Sequence, residues 1–477
     1  MYYSLKSDCY FKKYDEIGYI ARPIITMEEV VDRVGALFLE KLSYTPKSIL
    51  CIVESLREDF VDVSPEQLQK DVEEFFDDLF SDGFLNRGES IETFIEEGFA
   101  YATLKGKLAY ANLKPQVEES TAHLLNVYFK DTPHLLTFHI ELTSMCNERC
   151  IHCYIPHKEK TKEISVDLMM RAIDQCKAQN VMTLVFSGGE PMLHPHFCDF
   201  LRYAKDLDFN ITVLSNLTLL TPEIVSALKY KHACCVNVSL YSLDPSVHDG
   251  ITKVAGSCEK TKENILKLIE NNVAVQINLP VMKQNKDTFW KVIEWGQEHK
   301  CTVNTDYLMM ARADRSTDNL ENRLSCDDLP RVIEDFMEND IVVKTNLARY
   351  RENGFLSVNT EPDDRVCGVG ITALCMVTNG DVYPCAGWQK YVCGNLKTNT
   401  LEEIWYDSPQ VKYLRGLRKK DFKGCLNCQD KEFCSMCMSR NSNESPNGDL
   451  FEISPITCEA AKISHNIIDK YKQTGKL

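Results

Sequence analysis

No stretch of this chain reaches the ~18–20 consecutive apolar residues that a membrane helix requires, so no membrane partner is expected. The opening residues, MYYSLKSDCYFKKYDE, lack the apolar core of a secretory signal, and the expected compartment is the cytoplasm. Positive charge is in deficit: 54 Lys and Arg stand against 70 Asp and Glu, a formal net charge of −16. Nucleic-acid binding is driven by phosphate neutralisation, so this balance argues against it; a basic peptide remains compatible. Internal repeats and low-complexity tracts are also missing. Cysteine, in contrast, is abundant at 21 residues, an odd number. The cytosol keeps thiols reduced, so a disulfide framework is not expected. Three cysteines crowd together at Cys146, Cys150 and Cys153, and five more lie between Cys425 and Cys458. Such clusters in a cytosolic protein point to metal.

The length allows two to four domains. Near the start, YFKKYDEIGYIARPI reads as a hairpin turning near Glu16-Ile17-Gly18. Three helical patterns follow, GALFLEKL, PKSILCIVESLREDF and SPEQLQKDVEEFFDDLFSDGF. In the third, Ser64 is placed as N-cap and Gly83 near the end, with Leu68, Val72, Phe75, Phe76 and Leu79 on one face. From residue 134 the pattern alternates. LLTFHIEL, VMTLVFSG, NITVLSN, ACCVNVSLY and VAVQINLPV read as strands, separated by helical stretches such as VDLMMRAIDQCKAQN and KTKENILKLIENN. This alternation predicts parallel βα units.

The strand LLTFHIEL runs directly into TSMCNERCIHCY, which spaces Cys146, Cys150 and Cys153 as Cys-x3-Cys-x2-Cys. Three thiolates on one tight loop suit three corners of a [4Fe–4S] cube and leave the fourth iron to a small molecule. A zinc site completed by His152 or His157 is the competing reading. One βα unit later comes Ser187-Gly188-Gly189-Glu190-Pro191, where glycines permit close backbone approach.

In these features the chain, over about residues 134–477, resembles the radical S-adenosylmethionine (SAM) superfamily. The resemblance implies a [4Fe–4S] cluster on Cys146, Cys150 and Cys153, with His152 at the aromatic position before the last cysteine. It implies that the stretch containing Gly188, Gly189 and Glu190 contacts the methionyl amino group of SAM. Ser215-Asn216 stands where the family often has a ribose-contacting polar pair, and Ser239 ends the next strand. His248-Asp249 and Gly256-Ser257 are further landmarks. The implied chemistry is reductive SAM cleavage to a 5′-deoxyadenosyl radical, which removes a substrate hydrogen, with flavodoxin or ferredoxin as electron donor. The implied core is an α/β partial (β/α)6 TIM-like barrel over 134–325, followed by a bridging region over 326–366.

The tail reads Cys367-x12-Gly380-x4-Cys385, then Cys425-x2-Cys428-x5-Cys434-x2-Cys437, then Cys458. This resembles the SPASM extension of radical SAM maturases and assigns residues 367–477 two auxiliary Fe–S clusters. By resemblance, Cys425, Cys428, Cys434 and Cys458 hold the distal cluster, and Cys367, Cys385 and Cys437 the proximal one. The family usually separates the last central pair by three residues; here only Ser435-Met436 intervene. A fourth proximal ligand is left open between Cys375, Cys393 and none. A pair of zinc knuckles is the alternative. The other cysteines are expected to be small buried hydrophobes.

Residues 1–95 resemble the PqqD-like recognition element of ribosomal-peptide (RiPP) maturases, a winged helix-turn-helix, with 96–133 as linker. There a precursor's leader peptide adds as a strand to a sheet edge; the candidate edge runs near Glu28-Glu29-Val30-Val31-Asp32-Arg33. An acidic surface disfavours DNA, and a plain oligomerisation domain is a rival. The implied whole is a peptide maturase forming a Cys thioether, as in sactipeptide and ranthipeptide maturases. Epimerisation, C–C or C–O cross-linking and a zinc-stabilised binding protein are alternatives. Sulfatase maturation is disfavoured because Ala386, not Asp, follows Cys385.

Overall fold

A computed structural model describes residues 1–104, 129, 132–159, 161–340, 343–344, 347 and 361–475. Most of the expected linker 96–133, and part of the bridging region 326–366, lie outside the described residues.

The N-terminal unit runs β1 (Tyr2–Leu5), β2 (Tyr10–Tyr14), β3 (Ile17–Arg22), β4 (Met27–Val31), α1 (Arg33–Glu40), β5 (Lys47–Ser48), α2 (Ile49–Leu56), α3 (Pro65–Ser81) and β6 (Leu85–Gly88). The strands make two antiparallel sheets, β5-β1-β6 and β2-β3-β4. Each helix starts where a short polar side chain satisfies an orphan amide: Asp32 accepts from Gly35, Ser48 from Cys51 and Ser64 from Gln67. Ile52, Leu56, Leu68, Val72, Phe76 and Leu79 close one core with Tyr3 and Ile20. Burial of each such side chain is worth about 1.5–3 kcal/mol. Arg22 binds both oxygens of the buried Asp8 carboxylate and donates to the carbonyl of Gly83, whose φ of 90° ends α3.

Two boundaries differ from the sequence reading. The hairpin turns at Asp15-Glu16, with Asp15 at φ 48°, and Gly18 lies inside β3, where a Cβ would crowd Phe11, Val31 and Ala36. The edge strand stops at Val31, because Asp32 turns to cap α1 and Arg33 is already helical.

The third sheet has nine strands. Six parallel strands stand side by side in chain order: β7 (Thr137–Thr143), β8 (Thr183–Gly188), β9 (Asn210–Ser215), β10 (Cys235–Ser239), β11 (Ala274–Pro280) and β12 (Thr302–Asp306). Helices separate them in sequence, as the alternation predicts. One face is apolar and sealed: Phe138, Ile140, Leu184, Phe186, Ile211, Val213, Val236 and Ile277 are all 0% exposed. The opposite face carries His139, Glu141, Ser187, Asn237, Gln276 and Asn278. Sequence patterning did not single out β12, because TVNTD has no buried residue.

The Cys-rich tail is not a separate piece. β13 (Ala373–Met376) runs parallel to β7, and β14 (Asp381–Tyr383) and β15 (Gly394–Asn395) extend the same sheet. The N-terminal unit leans on the starts of the parallel strands. Tyr10 donates to the carbonyl of Ala233 at 3.0 Å, Tyr14 to that of Asn180 at 3.2 Å, and Asn180 to that of Lys13 at 2.8 Å. Among the described residues no helix is long and apolar enough to cross a membrane.

Candidate active site and metal centres

β7 ends at Thr143, and the cysteine loop leaves from there. The loop is stapled at its base: Ser144 donates its amide to the Lys162 carbonyl at 2.7 Å, and its hydroxyl accepts from the amides of Thr161 and Lys162. Its far side rests on the end of the helix Pro245–Thr252, through Arg149 N to Thr252 O (2.9 Å) and Ile151 N to Ile251 O (3.1 Å). The Asp249 landmark shapes that support, accepting from the amides of Gly256 and Cys258 and from the Ser257 hydroxyl.

Cys146, Cys150 and Cys153 lie within electrostatic reach of one another. Burial pushes the Cys150 thiol well above its ordinary range, and Glu148, Cys153 and Cys146 push it further. Cys150 also donates to Glu148 Oε2 at 3.3 Å. Such a concentration of anionic groups suits an iron cluster, which draws thiolates and offsets their repulsion. Among the described residues no three His, Cys, Asp or Glu side chains gather around one point as a single ion needs; a cubane instead takes each thiolate on its own iron. Three donors reach the sulfurs among the described residues: the Glu148 amide is 3.4 Å and Asn216 Nδ2 3.9 Å from Cys146 Sγ, and the Tyr241 hydroxyl is 3.9 Å from Cys150 Sγ. His152 meets Tyr241 edge-on at 4.9 Å. Ser239 reaches Tyr241 as well, through its hydroxyl.

The glycine motif packs under this loop. Gly189 N donates to Thr143 O at 2.6 Å and Glu190 N to Met145 O at 2.8 Å. Gly188 has φ 132°, and a Cβ on either glycine would collide with the carbonyls of Thr143, Ser144 or Met145. Glu190 is fully buried; burial raises its carboxyl to about 7, against three hydrogen bonds that lower it. Those bonds come from the Asn216 amide (2.8 Å), the Met192 amide (3.1 Å) and the Ser215 hydroxyl (2.8 Å). The carboxylate thus ties the glycine loop to the end of β9.

The tail thiols fall into two groups. Cys437 lies within electrostatic reach of both Cys367 and Cys385; burial raises Cys385 to about 12, with Cys437 adding to it. Cys425, Cys428, Cys434 and Cys458 form the other set; Cys434 is raised to about 11 by burial, then by Cys458, Cys425 and Cys428. Cys437 accepts from the Arg440 amide at 3.4 Å as N-cap of the helix Met438–Glu444. The distal loop is pinned to the helix Pro455–Thr474, where His465 bonds Asp430 at 2.7 Å and stacks on Phe433. Cys375 sits on β13 within reach of Cys385 and Glu141, and Cys393 within reach of Cys385. Of the remaining cysteines, Cys9, Cys176, Cys234, Cys258 and Cys301 are buried as expected, whereas Cys51 and Cys326 are exposed.

One group was missed. Glu141 on β7 is 3% exposed and accepts from the Tyr154 hydroxyl at 2.8 Å and the Gln389 amide at 3.0 Å. Burial raises its carboxyl to about 7. The sequence signal was an alternation, His139 and Glu141 on the polar side of an otherwise apolar strand.

Three family models match the chain: the radical SAM superfamily over 140–296, the SPASM iron–sulfur cluster-binding domain over 367–430, and coenzyme PQQ synthesis protein D over 29–85. An AdoMet-dependent heme synthase of Methanosarcina barkeri is 28% identical over 348 residues, covering 68% of this chain and 96% of the relative. The antilisterial bacteriocin subtilosin biosynthesis protein AlbA of Bacillus subtilis is 26% identical over 317 residues, 64% of this chain and 67% of the relative. The crystal structure of Streptococcus suis SuiB bound to precursor peptide SuiA shares the fold, with a TM-score of 0.62 at 16% identity over 95% of this chain and 99% of that one. The radical SAM domain binds SAM and a [4Fe–4S] cluster, and the SPASM domain binds auxiliary iron–sulfur clusters. The chain is a radical SAM enzyme with a PqqD domain before its core and a SPASM domain after it.

Proposed function

We propose that this enzyme is a RiPP maturase that installs a Cys thioether in a ribosomally made precursor peptide. The observation that carries the reading is an edge strand, β4, in the same chain as the cluster loop: among the described residues it pairs with β3 alone. A leader peptide added along β4 would gain main-chain bonds there and side-chain selectivity from α1 beside it. AlbA is named for bacteriocin biosynthesis, and SuiB was crystallised bound to a precursor peptide. The heme synthase name points elsewhere, but nearly a third of this chain lies outside that match.

In this reading Cys146, Cys150 and Cys153 hold the first cluster and leave one iron to SAM. Bound there, SAM supplies the 5′-deoxyadenosyl radical. The backbone of Gly188 and Gly189 lies where the methionyl end would rest, and Glu190 with Ser215 positions that loop. Asn216, His152 and Ser239 line the rim around the cysteines. Cys425, Cys428, Cys434 and Cys458 would hold the distal cluster, and Cys367, Cys385 and Cys437 the proximal one. Three proximal ligands would leave an iron for the substrate thiolate. We read the six parallel strands as the partial (β/α)6 barrel and the N-terminal helices as a winged helix-turn-helix. The domains are taken as 1–95, 134–325 and 367–477. The compartment is the cytoplasm, and the electron donor is a flavodoxin or ferredoxin.

The test uses anaerobically reconstituted protein with SAM, reductant and a cysteine-containing precursor peptide. About twelve irons with matching sulfide, 5′-deoxyadenosine formation, and a peptide lighter by two hydrogens per cross-link are expected. An unchanged mass with an inverted α-carbon would establish an epimerase instead, and zinc without sulfide would end the cluster reading.

A further inference from the structure

Glu141 occupies a place that the cluster assignments leave unused. It stands on β7 five residues before Cys146, on the face turned away from the helix-packed core. Its Oε1 takes both hydrogen bonds, one from Tyr154, next to Cys153, and one from Gln389, four residues past Cys385. The carboxyl therefore sits where the first cysteine loop and the Cys-rich tail meet. Among the described residues no donor reaches its second oxygen, Oε2. The titratable groups facing it are Tyr154 from the loop, Cys375 from β13 and Tyr383 from β14; His139, two residues back on the same face, is engaged with Ser187. No carboxylate follows Cys385, where Ala386 stands; the tail instead sends Gln389 to Glu141.

We propose that Glu141 is the catalytic base of the peptide reaction, and that its open oxygen takes the proton of the substrate's cysteine thiol. The S–H bond breaks, an O–H bond forms on Oε2, and the sulfur keeps the electron pair as a thiolate. The proton passes to water when the product leaves. Tyr154 and Gln389 hold the carboxylate in place from the other side, so orientation survives each proton exchange. Burial has already raised this carboxyl to about 7, against the two hydrogen bonds that lower it, which matches it to a base working near neutral pH. The assignment rests on the peptide-maturase reading above.

The experiment compares full-length, reconstituted wild type with Glu141→Gln and Glu141→Ala, using SAM, reductant and a synthetic precursor peptide with cysteines in its core. Glu141→Gln keeps an acceptor for Tyr154 and Gln389 but cannot take a proton. It should form 5′-deoxyadenosine and bind the peptide as wild type does, while cross-linked product falls by roughly 100-fold. Wild-type product formation should climb as pH rises through about 7, and that limb should vanish in Glu141→Gln. Independently of turnover, Glu190 gives wild type and Glu141→Gln a common infrared band of a protonated carboxyl, so the wild-type minus Glu141→Gln difference spectrum should show one further such band that fades near neutral pH. Product at the wild-type rate from Glu141→Gln, or no such band, overturns the assignment and makes Glu141 a strut between two loops. If wild type cleaves SAM yet leaves the peptide intact, the maturase reading fails and takes the thiol step with it. Failure of the base alone shows instead as two equally active enzymes.

Discussion

Residues 1–95 and residues 367–475 lie at opposite ends of the chain and are held together by different means. The first unit closes its own apolar core, from Tyr3 and Ile20 through Val72 and Phe76 to Leu85, and caps each of its three helices with a side chain. The second joins the main core through Leu374, Met376, Leu401, Ile404, Trp405 and Ile467, and adds a satellite core around Trp388, Leu414 and Phe422; between them run short 3-10 turns at 423–425 and 431–433 that carry thiols. Residues 423–437 have no buried side chain, and a stretch like that is closed by a metal group rather than by apolar packing. The N-terminal unit thus rests on ordinary packing, and this stretch on its clusters.

The largest expected effect breaks the comparison open. Stripping iron anaerobically should drop hydrogen-exchange protection across 423–458 towards that of an open chain, while α1–α3 keep theirs. Equal loss at both ends would mean that the clusters stabilise the whole molecule. The mirror experiment is Phe76→Ala, which leaves a cavity in the N-terminal core and should cost about 3–5 kcal/mol there. Peptide binding should weaken with it, whereas SAM cleavage without peptide should stay at the wild-type rate. Adding leader peptide to wild type should protect the amides of Met27–Val31; protection confined to β6 instead would move the docking edge.

Where patterning was strong, the sequence was enough. The alternation Phe138, Ile140, Leu142 and its counterparts in the next strands named five of six parallel strands, and spacing grouped the cysteines that the fold brings together. β12 was missed because its side chains are polar and half-exposed, so no apolar period marks it. The attachment of β13 beside β7 was out of reach, since pairing across more than 200 residues leaves no local trace. The site was legible in its glycines and cysteines for the same reason, a fixed short spacing. Glu190 and Ser215 read as SAM contacts; that the Ser215 hydroxyl also donates to Glu190 could not be read from spacing. Glu141 could be seen only once β7, the cysteine loop and Gln389 stood together.

Buried carboxyls sharpen the contrast between barrel and N-terminal unit. Glu190 is raised from its ordinary 4.5 to about 7 by burial. A raised carboxyl favours the folded state fully below the unfolded value, and this contribution is lost as pH rises through about 7. Wild-type thermal stability should therefore decline between about pH 4.5 and 7 and level off above, and Glu190→Gln should remove its share of the decline, leaving that of Glu141. In the N-terminal unit the buried Asp8 carboxylate is instead paired with Arg22 at 2.8 Å.

The smallest effect is expected at Tyr241. Its hydroxyl lies 3.9 Å from Cys150 Sγ, braced by Ser239 and by the edge of the His152 ring. A donor near a cluster sulfur favours the reduced, more negative cluster and so raises its potential. Tyr241→Phe keeps the ring and removes only the donor. The potential of the first cluster, followed by electron paramagnetic resonance during a redox titration, should move modestly negative, with iron content and N-terminal protection unchanged. Cys146→Ala, in the same loop, should instead abolish SAM cleavage. A Tyr241→Phe enzyme that loses iron would show that this hydroxyl holds the loop closed rather than tuning the cluster within it.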